Sequence, residues 1–115
     1  MPTLYGVFRS RASRPIWLLY ELGEAFDHVP VIQAYRLAQA SAPDAPLNTT
    51  SASFLTVNPQ GQVPAYVEGD LVLTESLSIT NHIARTRGGP LGAQTPAEQA
   101  LIDQWTLLAV TAVET

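Results

Sequence analysis

The chain has 115 residues, 46% of them hydrophobic, which suffices for one domain with its own core; ten acidic side chains against six basic ones give a net charge of −4. It has no cysteine, which excludes a disulfide scaffold, a Cys-ligated zinc site and a CxxC redox centre, and two scattered histidines offer no metal-ligating set, so no metal is expected. All six basic residues are arginine and form no basic stripe, and no apolar run approaches the ~20 residues of a membrane span, so neither nucleic acid nor membrane is an expected partner.

The opening residues, Met1 to Ser10, carry no charged stretch followed by an apolar one, so no signal peptide is read and a cytoplasmic location is expected. Thr3 to Phe8 is short and β-rich, and reads as a buried strand. A polar stretch leads into a strongly apolar helix from Pro15 to Gly23. Ser13 or Arg14 caps its start, Pro15 fits its first turn, and Gly23 stands where a left-handed C-cap belongs. Phe26 to Ile32 reads as a second strand, with Pro30 marking an edge or bulge. Residues 33–50 are rich in Ala, Ser and Pro and show no period: a long surface loop with one helical turn. The acceptor pattern Asn48-Thr49-Thr50 within it is read as chance.

Ser51 to Asn58 reads as a short helix stopped at Pro59. Gln62 to Val67 and Leu71 to Leu73 then form a hairpin around Glu68-Gly69-Asp70. Thr74 to Arg87 turns helical, with Glu75 in its first turn and Arg85 and Arg87 in its last. The Gly-rich 88–94 stretch is a linker. A final helix begins at Thr95-Pro96 with a capping box to Glu98, and Leu101, Trp105, Leu108 and Ala112 line one face of it as an unfinished apolar stripe. The fold class expected is therefore α/β: a thioredoxin-like β-α-β / β-β-α domain over residues 1–87, a linker at 88–94, and at 95–115 one further helix. His28 and His82 read as satisfied structural residues, and Trp17 and Trp105 as core or interdomain packing.

Four segments in register resemble the glutathione S-transferase family over most of the chain. They are Leu4-Tyr5-Gly6, Ser10 through Leu22-Gly23, Asn58-Pro59-Gln60-Gly61-Gln62-Val63-Pro64-Ala65, and Thr74-Glu75-Ser76-Leu77-Ser78-Ile79. Gln104-Trp105 looks like the start of that family's all-helical second domain. Family members are about twice this length, so the resemblance implies a glutathione-binding N-terminal domain followed by only the first helix of a truncated helical domain, with most of the pocket for the second substrate missing.

The resemblance implies glutathione as co-substrate and an electrophilic small molecule as its partner, in a detoxifying transferase that is a homodimer or otherwise self-associates. Val63-Pro64 resembles the family's cis peptide, whose preceding residue offers its backbone to the cysteinyl part of glutathione, as an added strand pairs with a sheet edge. Glu75 and Ser76 stand at a helix start, where free N–H groups suit the γ-glutamyl carboxylate and Glu75 suits its ammonium. Gln62 adds a hydrogen bond to the glycyl end or to the backbone of the tripeptide. For thiol activation Ser10, four residues before Arg14, matches the serine-using classes; Ser13 competes, its plainer role being an N-cap, and Tyr5 matches the tyrosine-using members. Arg9, Arg11 and Arg14 raise the positive potential there or are solvated loop charges. The alternative is a non-catalytic glutathione-transferase-like binding or dimerisation module. A general thioredoxin-like redox protein is set aside by the missing cysteines.

Overall fold

The computed structural model describes residues 1–114; Thr115, the last residue of the expected 95–115 segment, lies outside them. Four strands, β1 (Thr3–Tyr5), β2 (Asp27–Val29), β3 (Ala65–Glu68) and β4 (Leu71–Thr74), alternate with helices α1 (Ser13–Leu22), α2 (Ala52–Leu55), α3 (Ser76–Arg87) and α4 (Pro96–Leu108). The sheet order is β2-β1-β3-β4, with β1 parallel to β2 and antiparallel to β3, and β3 antiparallel to β4. This is the thioredoxin-like arrangement, followed by one further helix.

Strand alternation divides the core between the two faces of the sheet. Leu4 and Tyr66 point to one side and pack with Ile16 and Leu19 of α1 and Ile79 and Ile83 of α3, all essentially without solvent contact. Their neighbours Tyr5 and Ala65 point to the other, against Phe54 of α2, Val31 and Leu47. Each of the large apolar side chains buried this way contributes about 1.5–3 kcal/mol, so the sheet is fixed from both faces.

The strands are shorter than the sequence predicts, for identifiable reasons. β1 stops at Tyr5 because Gly6 turns to φ 142°, and Phe8 emerges into solvent. β2 stops at Val29 because Pro30 cannot donate to the ladder. Helix α1 starts two residues before Pro15, with Ala12 rather than Ser13 or Arg14 at the cap position. The hydroxyl that serves this helix start is Ser10, whose Oγ accepts from the Ala12 N–H at 3.1 Å. At the other end Gly23 adopts φ 65° as expected; its N–H reaches Tyr20 O and that of Glu24 reaches Leu19 O, both at 3.1 Å.

Residues 33–50 contain one 3₁₀ turn, Ala34–Arg36. They are held by Asn48, which is 1% exposed. Its amide donates to Ala40 O at 3.0 Å and Pro46 O at 2.9 Å, and its Oδ1 accepts from the Thr50 N–H at 2.9 Å and hydroxyl at 2.6 Å. The residue set aside as part of a chance motif is thus the internal tie of the segment.

Helix α4 begins as predicted, Thr95 Oγ1 accepting from the Glu98 N–H at 3.1 Å, although the Glu98 carboxylate turns to the Gln94 N–H rather than completing the box. Leu101, Trp105 and Leu108 are exposed, and no residue of α4 is buried. Its one side-chain hydrogen bond to α3 runs from Asn81 Nδ2 to Thr106 Oγ1 at 3.1 Å, among the described residues. A π-helical turn, Ala109–Val113, extends it. Trp17 and Trp105 form no part of the core: Trp17 is 70% exposed on α1, its indole N–H on Glu21. No helix among the described residues is long and apolar enough to cross a membrane.

At the far end of α3, Arg87 pairs with Glu68 and, at 3.2 Å, with Glu24, while His82 Nε2 meets Glu68 Oε1 at 3.1 Å. The Arg87 guanidinium, and after it His82, hold the Glu68 carboxyl below the usual carboxylate range. A carboxyl whose pKa is lowered by folding contributes stability above its unfolded pKa and loses it as pH falls through the folded value. Glu68→Gln is therefore expected to cost up to about 1 kcal/mol at neutral pH. That deficit should close as pH falls below ~4.3. Paired chemical denaturations of both proteins from pH 7 to 3 check this; a deficit that persists at pH 3 contradicts it.

Candidate functional site

A cleft of about 970 Å³ opens where the α1 entrance, the Gln62–Pro64 turn, the start of α3 and the end of α4 meet. All six residues singled out from the sequence, Ser10, Gln62, Val63, Pro64, Glu75 and Ser76, line it. Of the three hydroxyls weighed for thiol activation, Ser10 is in the lining, whereas Tyr5 packs its ring against Phe54 at 6.0 Å and Ser13 lies inside the first turn of α1.

Gly6 makes the first wall possible. A Cβ there would lie 2.7 Å from the Ala12 Cβ and 3.3 Å from the Val63 Cβ, so the strand end, the α1 entrance and the Val63 turn meet only because the side chain is absent. Ser10 sits between them. Its hydroxyl donates to Val7 O at 2.7 Å while accepting from Ala12, so it faces the helix start with both bonds local.

The second wall is the Asn58–Pro64 turn. Asn58, 2% exposed, donates to Gln62 O at 2.8 Å and accepts from the Gln60 N–H at 3.1 Å, which fixes the backbone that presents Gln62 and Val63. The Val63–Pro64 peptide is cis, as the sequence suggested. Opposite, Gln33, Tyr35 and Thr49 form a wall carried by the segment that Asn48 ties.

The third wall differs from expectation in detail. Glu75 is not in the first turn of α3 but precedes it, at φ 71°, a left-handed conformation that costs a non-glycine residue about 1–3 kcal/mol and clusters at functional sites. Ser76 opens the helix and is 6% exposed. Its Oγ does not cap the helix; it accepts from Arg14 Nη1 at 3.0 Å. Arg14 Nη2 and Arg11 Nη2 in turn hold the two carboxylate oxygens of Glu114, at 2.9 and 2.7 Å. Sequence reasoning noticed the arginines and missed Glu114, because nothing in the pattern of α4 signals that the π-helical turn aims its following residue into the cleft.

The two histidines are outside the lining: His28 Nε2 meets Gly6 O, and His82 belongs to the Glu68 pair. Among the described residues no group of His, Asp or Glu is arranged to hold a metal ion.

Comparison with known proteins returns one family. Residues 2–85 match the family described as glutathione S-transferase, N-terminal domain. Glutathione S-transferase F9 of Arabidopsis thaliana is 28% identical over 105 residues, 89% of this chain and 44% of that protein. The theta class glutathione S-transferase of Xanthomonas axonopodis pv. citri, solved with glutathione bound, superposes with a TM-score of 0.77 at 28% identity, over 96% of this chain and 49% of that one. Glutathione transferase F7 of Populus trichocarpa gives 0.72 at 32%, over 96% and 49%. The chain thus spans about half the length of the relatives it matches along nearly all of itself.

Proposed function

Because the chain belongs to the glutathione S-transferase family through its N-terminal domain, we propose that it binds glutathione in the cleft and that Ser10 activates the bound thiol for attack on an electrophilic small molecule. Glu75 and Ser76 take the γ-glutamyl group, Val63 pairs its backbone with the cysteinyl residue beside cis Pro64, and Gln62 meets the glycyl end. The observation that carries this reading is the convergence of these six residues, from three separate segments, on one cleft that excludes Tyr5 and Ser13.

Each part has a physical reason to act as assigned. The first N–H groups of α3 have no intrahelical partner and sit at the positive end of the helix dipole, suited to a carboxylate. Glu75, displaced from the helix axis by its left-handed backbone, supplies a negative charge for the ammonium. A free thiol titrates near ~8.5, and lowering this by about two units requires about 2.7 kcal/mol of preference for the thiolate. One hydroxyl donor near the N-terminus of α1 supplies energy of that order. To donate to sulfur, the Ser10 hydroxyl must leave Val7 O, a rotation about one bond that leaves the Ala12 contact possible.

The division at the Gly88–Gln94 linker, a homodimer or other self-association through the exposed Leu101, Trp105 and Leu108, a cytoplasmic location and a detoxifying role belong to the same reading. The electrophile meets only Thr106 and Leu107 of α4 and Val110 of the π-helical turn here, and most of its pocket lies beyond this chain. A second reading, a non-catalytic binding or dimerisation module, is favoured by one observation: both hydrogen bonds of Ser10 are already satisfied locally.

Calorimetric titration with glutathione tests binding. Saturation at millimolar affinity or better is expected, and Glu75→Gln should weaken it roughly tenfold, the cost of an ammonium losing a charged partner. A folded protein that takes up no glutathione defeats the reading.

A further inference from the structure

Arg11, Arg14 and Ser76 already hold a carboxylate, and it comes from the chain itself. Glu114 bridges the two guanidiniums, Oε1 on Arg11 at 2.7 Å and Oε2 on Arg14 at 2.9 Å, while the remaining arm of Arg14 donates to the buried Ser76 hydroxyl at 3.0 Å. The bridge follows directly on the π-helical turn: the Glu114 N–H closes an i→i−5 bond onto Ala109 O at 2.8 Å, and the Glu114 side chain lines the cleft. The side chains of Arg11, Arg14 and Glu114 are 67%, 35% and 27% exposed, so this bridge is an ion pair that solvent weakens and that another anion can replace.

We propose that Arg11, Arg14 and Ser76 form a carboxylate subsite that Glu114 keeps closed, and that the α-carboxylate of a γ-glutamyl ligand opens it by displacing Glu114. The assignment of that ligand rests on the glutathione reading above. Two further facts favour exchange over a permanent strut. The subsite adjoins the free N–H groups of α3, so an incoming carboxylate gains helix-terminus donors that Glu114, reaching from α4, does not use. Among the described residues, the charged ones lining the cleft are Arg11, Arg14, Glu75 and Glu114, and they cancel while Glu114 is present; its departure leaves them net positive, suited to an anionic ligand.

The test compares the 115-residue protein with its Glu114→Gln variant, each titrated with glutathione and with γ-aminobutyryl-cysteinyl-glycine, which lacks only the α-carboxylate. The variant should bind glutathione roughly two- to fivefold more tightly, the span of an exposed ion pair, and the analogue no differently. In the unmodified protein, glutathione should speed hydrogen exchange at the Leu107–Glu114 amides as the turn is released. Glutathione binding that is unchanged or weakened in the variant, or exchange that slows, overturns the displacement while leaving the glutathione reading intact. Absence of glutathione binding by both proteins overturns the two together.

Discussion

Ser10→Ala is expected to leave glutathione bound while stripping the bound thiol of its charge. If the site lowers the thiol from ~8.5 to ~6.5, the thiolate fraction at pH 7 is about three quarters; restoring ~8.5 leaves about 3%, a loss of roughly 25-fold. Conjugation, which needs the thiolate, should fall with it, and the ultraviolet absorbance of the thiolate should shift to higher pH by about two units. The substitution also removes the hydrogen bond to the Ala12 N–H, a capping loss of about 0.5–2 kcal/mol, so a lower melting temperature alone is not diagnostic. Ser10→Thr separates the two effects, since it keeps the hydroxyl for both bonds and should restore most of the ionisation. Ser13→Ala, altering a residue outside the cleft lining, should leave the thiol titration in place. Unchanged ionisation in Ser10→Ala would return the protein to the non-catalytic reading, in which this hydroxyl is only a helix-start residue.

The largest effect on stability should come from a single methyl group at Gly6. Its φ of 142° costs an alanine about 1–3 kcal/mol. The added Cβ, 2.7 Å from that of Ala12, adds an overpacking term of about 1–3 kcal/mol. Together these come to about 2–6 kcal/mol, a large part of the ~5–15 kcal/mol that holds such a domain folded. The melting temperature of Gly6→Ala should drop by about 8 °C or more. Gly23 provides the control: its φ is 65° but nothing among the described residues lies within 4 Å of a Cβ there, so Gly23→Ala should show the backbone cost alone. Equal losses at the two positions would mean that the contact between the α1 entrance and the Val63 turn is loose. Because both parties to that contact line the cleft, glutathione affinity in Gly6→Ala should fall even at temperatures where the variant is folded.

Periodicity and punctuation carried most of the architecture. The apolar run before Gly23, the Thr95-Pro96 start and the Glu68-Gly69-Asp70 turn each rest on local chemistry, and each appears where the sequence places it. The six candidate residues line one cleft and were legible for a different reason: they stand in short segments whose resemblance to one family does not depend on long-range contacts. What escaped was whatever required knowing the third dimension. Strand ends were misjudged because Gly6 and Pro30 act on ladders formed with distant residues. Ser13 was offered as a cap because hydroxyls next to a helix usually cap it, whereas here Ser10 reaches forward. Of the two readings of Trp17, core or interdomain packing, the core one fails, since the side chain lies exposed on α1. Glu114 lies one hundred residues from Arg14 along the chain, and no spacing rule joins them.

Asn48 has a consequence for motion. Between Val31 and Asn48 no residue is fully buried, so the wall bearing Gln33 and Tyr35 rests mainly on hydrogen bonds: those of the Asn48 amide, that of the Ala34 N–H to Thr49 Oγ1, and those of Gln33 and Arg36 to Arg9 O, with Leu47 only partly in the core. Segments held this way open at a free energy well below that of global unfolding. The wall should therefore breathe as a unit, exchanging its amides and admitting proteases while the sheet stays closed. A ligand that spans from α3 to this wall would then damp the motion, so part of its binding free energy would go into stilling a segment that the empty protein leaves restless.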